Sequence, residues 1–143
     1  MKVDLIDPPR GFSVLGIDLR HSADITLEHD EQVTFVTPSG TQFDVCRKDW
    51  GYYGTPSLNQ RLPDHGLRAV LVRGNQSGKM DVLLVERGKE DAFYAYVEWD
   101  GMTIVSWLDT YEATEALYER MVGGAGTASG TASTPGTTPQ EGR

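Results

Sequence analysis

Residues 67–86 read LRAVLVRGNQSGKMDVLLVE, and this stretch decides the fold. Its two halves, 67–73 and 80–86, carry apolar side chains on both faces, which is typical of central strands that are covered on each side. The loop between them, 74–79, predicts a hairpin. It is not a phosphate-binding loop, because it has one residue too few between its glycines, lacks Ser or Thr after Lys79, and leads into a strand.

Helical patterns follow this hairpin. Residues 89–99 place Phe93 and Val97 on one face of a helix, as expected for a helix that packs on a sheet. Residues 103–108 predict a short strand, and Asp109 is the expected N-cap of a second helix. The order strand, helix, strand requires a crossover between parallel strands, which we expect to be right-handed.

The N-terminal part alternates apolar and polar residues, which predicts an antiparallel meander with one solvated face. Its four predicted strands are 13–20, 23–28, 32–37 and 42–47. Residues 49–56 are rich in Gly and aromatic side chains and predict a loop. Residues 57–62 predict one or two helical turns, since Pro56 suits the start of a helix. The sequence therefore predicts an α+β fold, a single small domain with a mixed, mainly antiparallel sheet and two C-terminal helices.

The chain divides by composition into a domain, residues 1–122, and a tail, residues 123–143. The tail is built almost wholly from Gly, Thr, Ser, Ala and Pro, so it has nothing to bury and is predicted to be disordered. The net charge of −8 lies on the domain and argues against nucleic acid as a partner. No apolar run has the length of a membrane span, and the N-terminus does not have the shape of a signal peptide. A single cysteine fits a reducing compartment, so we expect a cytoplasmic protein.

Residues 46–62 read CRKDWGYYGTPSLNQRL, and folding alone does not readily explain this composition. The segment holds three basic residues, one acidic residue, and three aromatic residues within four positions. Arginine and aromatic side chains are enriched at binding hot spots, and basic side chains hold carboxylates and phosphates. The candidate ligand-binding residues are Arg47, Lys48, Trp50, Tyr52, Tyr53, Thr55, Ser57, Asn59 and Arg61. The competing interpretation is a loop that covers the end of the core with its aromatic rings.

Three residues, Cys46, His65 and Tyr53, are weaker candidates for catalysis. The basic neighbours of Cys46 would favour its thiolate form, and His65 is the nearest base along the chain. Against this, a free cysteine on a strand commonly packs as a small apolar side chain.

The three histidines, His21, His29 and His65, lack the short spacing of zinc ligands, so we expect no metal and no cofactor. The expected partner is a small molecule or a peptide, with no nucleic acid and no membrane. A homodimer is compatible with a domain of this size.

Three functions fit these patterns. The first is an accessory or regulatory domain that binds an anionic small molecule or peptide at residues 46–62. The second is a small tailoring enzyme for a metabolite or ribosomal peptide. It would act by positioning a substrate that supplies its own base. A dimer interface is one place where such an enzyme site could lie. The third is a pure protein-interaction subunit. The sequence does not decide whether the chain is an enzyme.

Overall fold

The structure is a computed structural model, and it describes residues 1–125. This part of the chain forms eight strands and three helices. In chain order they are β1 Lys2–Val14, β2 Ile17–Thr26, β3 Gln32–Val36, β4 Gln42–Lys48, β5 Gly51–Gly54, α1 Arg61–Asp64, β6 Leu67–Gly74, β7 Met80–Glu86, α2 Glu90–Trp99, β8 Met102–Trp107 and α3 Tyr111–Ala125. The α+β class and the mainly antiparallel pairing are confirmed, with the strands divided among three sheets.

The C-terminal sheet has the order β7-β6-β8, and both outer strands run antiparallel to β6. Strands β7 and β8 therefore run parallel to each other, as the predicted crossover through α2 requires. The central position predicted for residues 67–73 is confirmed. The central position predicted for residues 80–86 is wrong, because β7 is an edge strand and Val82 is 52% exposed. Apolar residues on both faces of a strand indicate that other layers cover the sheet there. They do not indicate whether a second strand is hydrogen-bonded along each edge.

Both faces of β6 are buried. On one face Val70, Val72 and Val85 pack with Phe93 of α2. The opposite cluster consists of Leu62, Leu67, Ala69 and Leu108, with Phe43 of β4 and Leu117 of α3 packed against it. The C-terminal sheet is thus a middle layer, with α2 on one side and α1, β4 and α3 on the other.

The sheet β3-β4-β5 is attached to this layer by its β3–β4 loop. Ser39 and Thr41 donate hydrogen bonds to the Glu86 carboxylate, and the backbone N–H of Gln42 donates to the carbonyl of His65 over 3.3 Å. The loop predicted for residues 49–56 is wrong in part, since Gly51–Gly54 forms β5. Backbone pairing with β4 outweighs the poor strand propensity of two glycines.

The first two strands form a separate two-stranded sheet. The single strand predicted for residues 13–20 is wrong, because the chain reverses at Leu15 and Gly16, which have φ angles of 52° and 81°. Two positive φ angles in succession are the geometry of a tight hairpin turn. Residues 2–12 of β1 were not predicted to form a strand, because Pro8 and Pro9 interrupt the pattern. The structure accommodates both prolines in a register shift between Leu5 and Arg10.

The helices depart from the predictions at their ends. Helix α2 is confirmed. The helical turns predicted for residues 57–62 begin later than expected, since residues 58–60 form a turn and helix α1 starts at Arg61. Asp109 was predicted to cap the last helix, but Thr110 does so, because its Oγ1 accepts a hydrogen bond from the N–H of Ala113 over 3.1 Å. Helix α3 continues to Ala125, and the rest of the predicted tail lies outside the described residues. Among residues 1–125, no helix is long and apolar enough to cross a bilayer.

Candidate ligand-binding site

The first half of segment 46–62 lies on the β4–β5 hairpin. The register places Arg47 opposite Tyr52 and Cys46 opposite Tyr53. Because side chains alternate along a strand, Arg47 and Tyr52 lie on one face of the sheet and Cys46 and Tyr53 on the other. The candidate residues are therefore divided between two surfaces.

The first surface is built on Arg47. Its guanidinium carbon lies 5.7 Å from the centre of the Tyr52 ring, within the range of a cation–π contact. Its Nη1 atom is buried and makes no hydrogen bond within residues 1–125, where no carboxylate pairs with this side chain either. An arginine is always protonated, so the described part of the chain leaves this positive charge unpaired.

The second surface differs in charge. Lys48 forms an ion pair with Asp30, and their hydrogen bond raises the pKa of Lys48 and lowers the pKa of Asp30. Trp50 lies in the turn and is 72% exposed, with its ring centre 5.8 Å from that of Tyr53. Nδ1 of His29 lies 3.0 Å from the Asp49 carboxylate. This surface therefore presents aromatic rings without an unpaired lysine.

The second half of the segment mainly supports local structure. Ser57 Oγ accepts a hydrogen bond from the N–H of Arg61 over 3.2 Å, which fastens the turn before α1. Asn59 donates from its side-chain amide to Thr114 Oγ1 over 3.0 Å and so links this turn to α3. The Thr55 hydroxyl is buried and has no partner within the described residues. Arg61 is exposed on α1.

The three catalytic candidates are not brought together as a unit. Cys46 is buried, and its Sγ lies 3.7 Å from the carbonyl oxygen of Arg47. His65 is at the other end of β4, where its carbonyl accepts from Gln42. Gln42 is four residues from Cys46, about 13 Å along a strand. Of the other two candidates, Tyr53 lies directly across from Cys46 and His65 does not. Among residues 1–125, no three His, Cys, Asp or Glu side chains are grouped to hold a metal ion.

Sequence reasoning missed a polar network on the C-terminal sheet. Arg68 of β6 donates from Nε to Asp109 over 2.6 Å and from Nη1 to Glu90 over 3.1 Å. Its guanidinium carbon lies 4.0 Å from the centre of the Trp107 ring. The signal was available, since an arginine within the apolar run of a central strand must find a partner. The network joins β6 to the starts of α2 and α3.

The first surface combines hydrogen-bond donors with an aromatic ring. Arg47 supplies hydrogen-bond donors for a carboxylate or phosphate, and Tyr52 supplies a flat ring beside them. Cys46 and His65 do not form a nucleophile–base pair within the described residues. No protein-family model matches this chain, and neither curated proteins nor solved structures provide a match.

Proposed function

We propose that this protein is an accessory or regulatory binding domain whose ligand is an anionic small molecule or an acidic peptide. The ligand would bind at the face of the β4–β5 hairpin that carries Arg47 and Tyr52. The observation that carries the proposal is the guanidinium of Arg47, which lies beside the Tyr52 ring, has a buried Nη1 and pairs with no carboxylate within residues 1–125. An unpaired charge in a partly buried position is unfavourable, so an anion that pairs with it gains free energy on binding.

The charges around the hairpin support this choice of surface. Lys48 already pairs with Asp30, so an anion there would have to displace a carboxylate. Arg47 has no carboxylate to displace among residues 1–125, and more than half of the Tyr52 surface is exposed next to it. Within residues 46–62, the proposed site is therefore centred on Arg47 and Tyr52.

The tailoring-enzyme alternative has less support. It would need a catalytic set, and the described residues do not bring Cys46 and His65 within contact of each other. An enzyme on this hairpin would act by positioning its substrate against Arg47 and Tyr52. The same binding surface would then be required, so a binding test comes first.

The test measures the melting temperature of the full chain with pyrophosphate, citrate and a glutamate-rich peptide as probes. A ligand that binds only the folded state raises the melting temperature. We expect at least one probe to stabilise the wild type, and Arg47→Gln to abolish that shift. Arg87→Gln makes the same change at an arginine that is exposed; it is the control and should keep the shift.

The unliganded variant separates binding from packing. If Arg47 serves a ligand, Arg47→Gln should melt within about 1 °C of the wild type, because the loss of an unfavourable charge that has no carboxylate partner among residues 1–125 offsets the loss of the cation–π contact to Tyr52. A loss of several degrees would instead identify Arg47 as a structural residue. Equal probe responses in the wild type and Arg47→Gln would also refute the proposal.

A further inference from the structure

The β1–β2 hairpin carries an apolar surface that the rest of the described chain does not cover. Neither core cluster includes a side chain from β1 or β2. Seven large apolar side chains of the hairpin pairs are between 36% and 78% exposed. They are Val3, Leu5, Phe12, Val14, Ile17, Leu19 and Ile25.

These side chains share one face. Along β2 the apolar positions have odd numbers, and residues that alternate along a strand point to the same side. Their partners directly across on β1 lie on that side as well. The register pairs Val3 with Ile25 and Leu5 with Ala23 near the base, and Phe12 with Leu19 and Val14 with Ile17 near the tip. The opposite face carries Asp4, Asp18, Arg20 and Asp24.

Such a hairpin is incomplete by itself. A two-stranded hairpin is marginally stable in water, and strands with an apolar face normally pack on another layer. Exposed apolar patches on a protein surface, here one near the base and one near the tip of the hairpin, mark interaction sites.

We propose that the apolar face of the β1–β2 hairpin packs against the same face of a second copy of this chain. This inference is independent of the anion site. The hairpin carries three basic and four acidic residues between positions 2 and 26, so its net charge of −1 hardly opposes self-association although the chain carries −8. A membrane-binding surface would instead be expected to carry an excess of basic residues.

The pattern along the hairpin is also self-complementary. Two apolar pairs near the base and two near the tip are separated by Arg10 and His21, which face each other. A two-fold axis through this polar middle would place the base of one hairpin on the tip of the other. A symmetric dimer uses the same patch on both subunits in this way.

The size of the patch sets the expected strength. A fully exposed chain presents about 1.45 Å² per dalton, so the seven side chains leave roughly 550 Å² uncovered per copy. Two copies would bury roughly 1,100 Å² in total, close to the lower end of specific interfaces. We therefore expect a dimer that dissociates in the micromolar range.

Sedimentation equilibrium of the full chain tests the proposal. The mass should rise from 15.8 kDa towards twice that value between micromolar and millimolar concentrations. Leu19→Lys places a charge on the apolar face and should weaken the dimer about ten-fold or more. The control Ser22→Lys places the same charge on the opposite, exposed face and should associate like the wild type. A wild type that remains a monomer overturns the proposal, as does equal weakening by both variants or a dimer unaffected by Leu19→Lys.

Hydrogen exchange of the wild type provides a test that needs no variant. If a second copy completes the hairpin, the amides of β1 and β2 should gain protection as the concentration rises, whereas those of β6 should not change. Protection of the hairpin that is independent of concentration would contradict the proposal. So would a monomer that cosediments with phosphatidylcholine vesicles, because a lipid surface would then be the partner.

Discussion

Removing the guanidinium of Arg68 should destabilise this fold more than removing any exposed arginine. We consider Arg68→Met, which keeps an apolar chain over the Trp107 ring but loses the hydrogen bonds to Asp109 and Glu90. The Asp109 side chain is only 7% exposed and would be left without its cation. A charge buried without a partner is the costly consequence of such a substitution.

The magnitude lies between two known limits. Breaking a buried ion pair costs about 3–5 kcal/mol, and losing an exposed one costs about 0–1 kcal/mol. The Arg68 side chain is 27% exposed, so water can partly solvate the carboxylate that remains. We therefore expect a loss of about 2 kcal/mol in the free energy of unfolding, close to the middle of that interval.

Urea unfolding at neutral pH and constant ionic strength measures this loss, with Arg73→Met on the same strand as the control. Arg73 is exposed, so its substitution should cost less than about 0.5 kcal/mol. Adding Asp109→Asn to Arg68→Met should recover about half of the loss, because no buried charge is then unpaired. The reasoning is refuted if Arg68→Met and Arg73→Met are equally stable, or if Asp109→Asn costs the same with and without Arg68.

Two further predictions concern the sheet β3-β4-β5 and its attachment. Gly54→Ala should cost about 1–3 kcal/mol by overpacking, since the new Cβ would lie 2.6 Å from the Phe43 ring. Gly11→Ala is the control, because a Cβ there meets no atom within 4 Å from the described residues beyond its chain neighbours. Equal melting temperatures of the two variants would contradict the prediction. Hydrogen bonds, first of all from Ser39, lower the pKa of Glu86. The contribution of Glu86 to stability is therefore present above its unfolded pKa and is lost as the pH falls through its folded pKa. Between neutral pH and about pH 3 the melting temperature of Glu86→Gln should fall less than that of the wild type, and an equal fall would contradict this prediction.

Apolar periodicity predicted a strand or helix correctly where the apolar side chains of that element are buried in the core. The apolar run 67–73 predicted a strand covered on both faces, and β6 is that strand. Helix α2 followed the same logic through Phe93. Periodicity does not reveal lateral neighbours, so β7 was misplaced and β5 was missed, because an edge and a short paired strand depend on hydrogen bonds to another segment.

The candidate site shows the same limit for side chains. Composition singled out residues 46–62, but it did not separate Arg47, which finds no carboxylate in the described part of the chain, from Lys48, which pairs with Asp30. The partner of Lys48 lies 18 residues away and becomes a neighbour only when β3 and β4 pair. The connection of Asn59 to Thr114 spans 55 residues and was equally invisible.

The sequence by itself determined the α+β class, the central strand of the core and the helix that covers one of its faces, because apolar periodicity is a local property of the chain. Only the tertiary structure decided which polar groups meet. It gave Arg68 its carboxylates. Within residues 1–125 it left Arg47 without a carboxylate and the apolar face of the β1–β2 hairpin without a covering layer. Pairing of charges and covering of faces depend on contacts between distant segments, and these contacts exist only once the chain has folded.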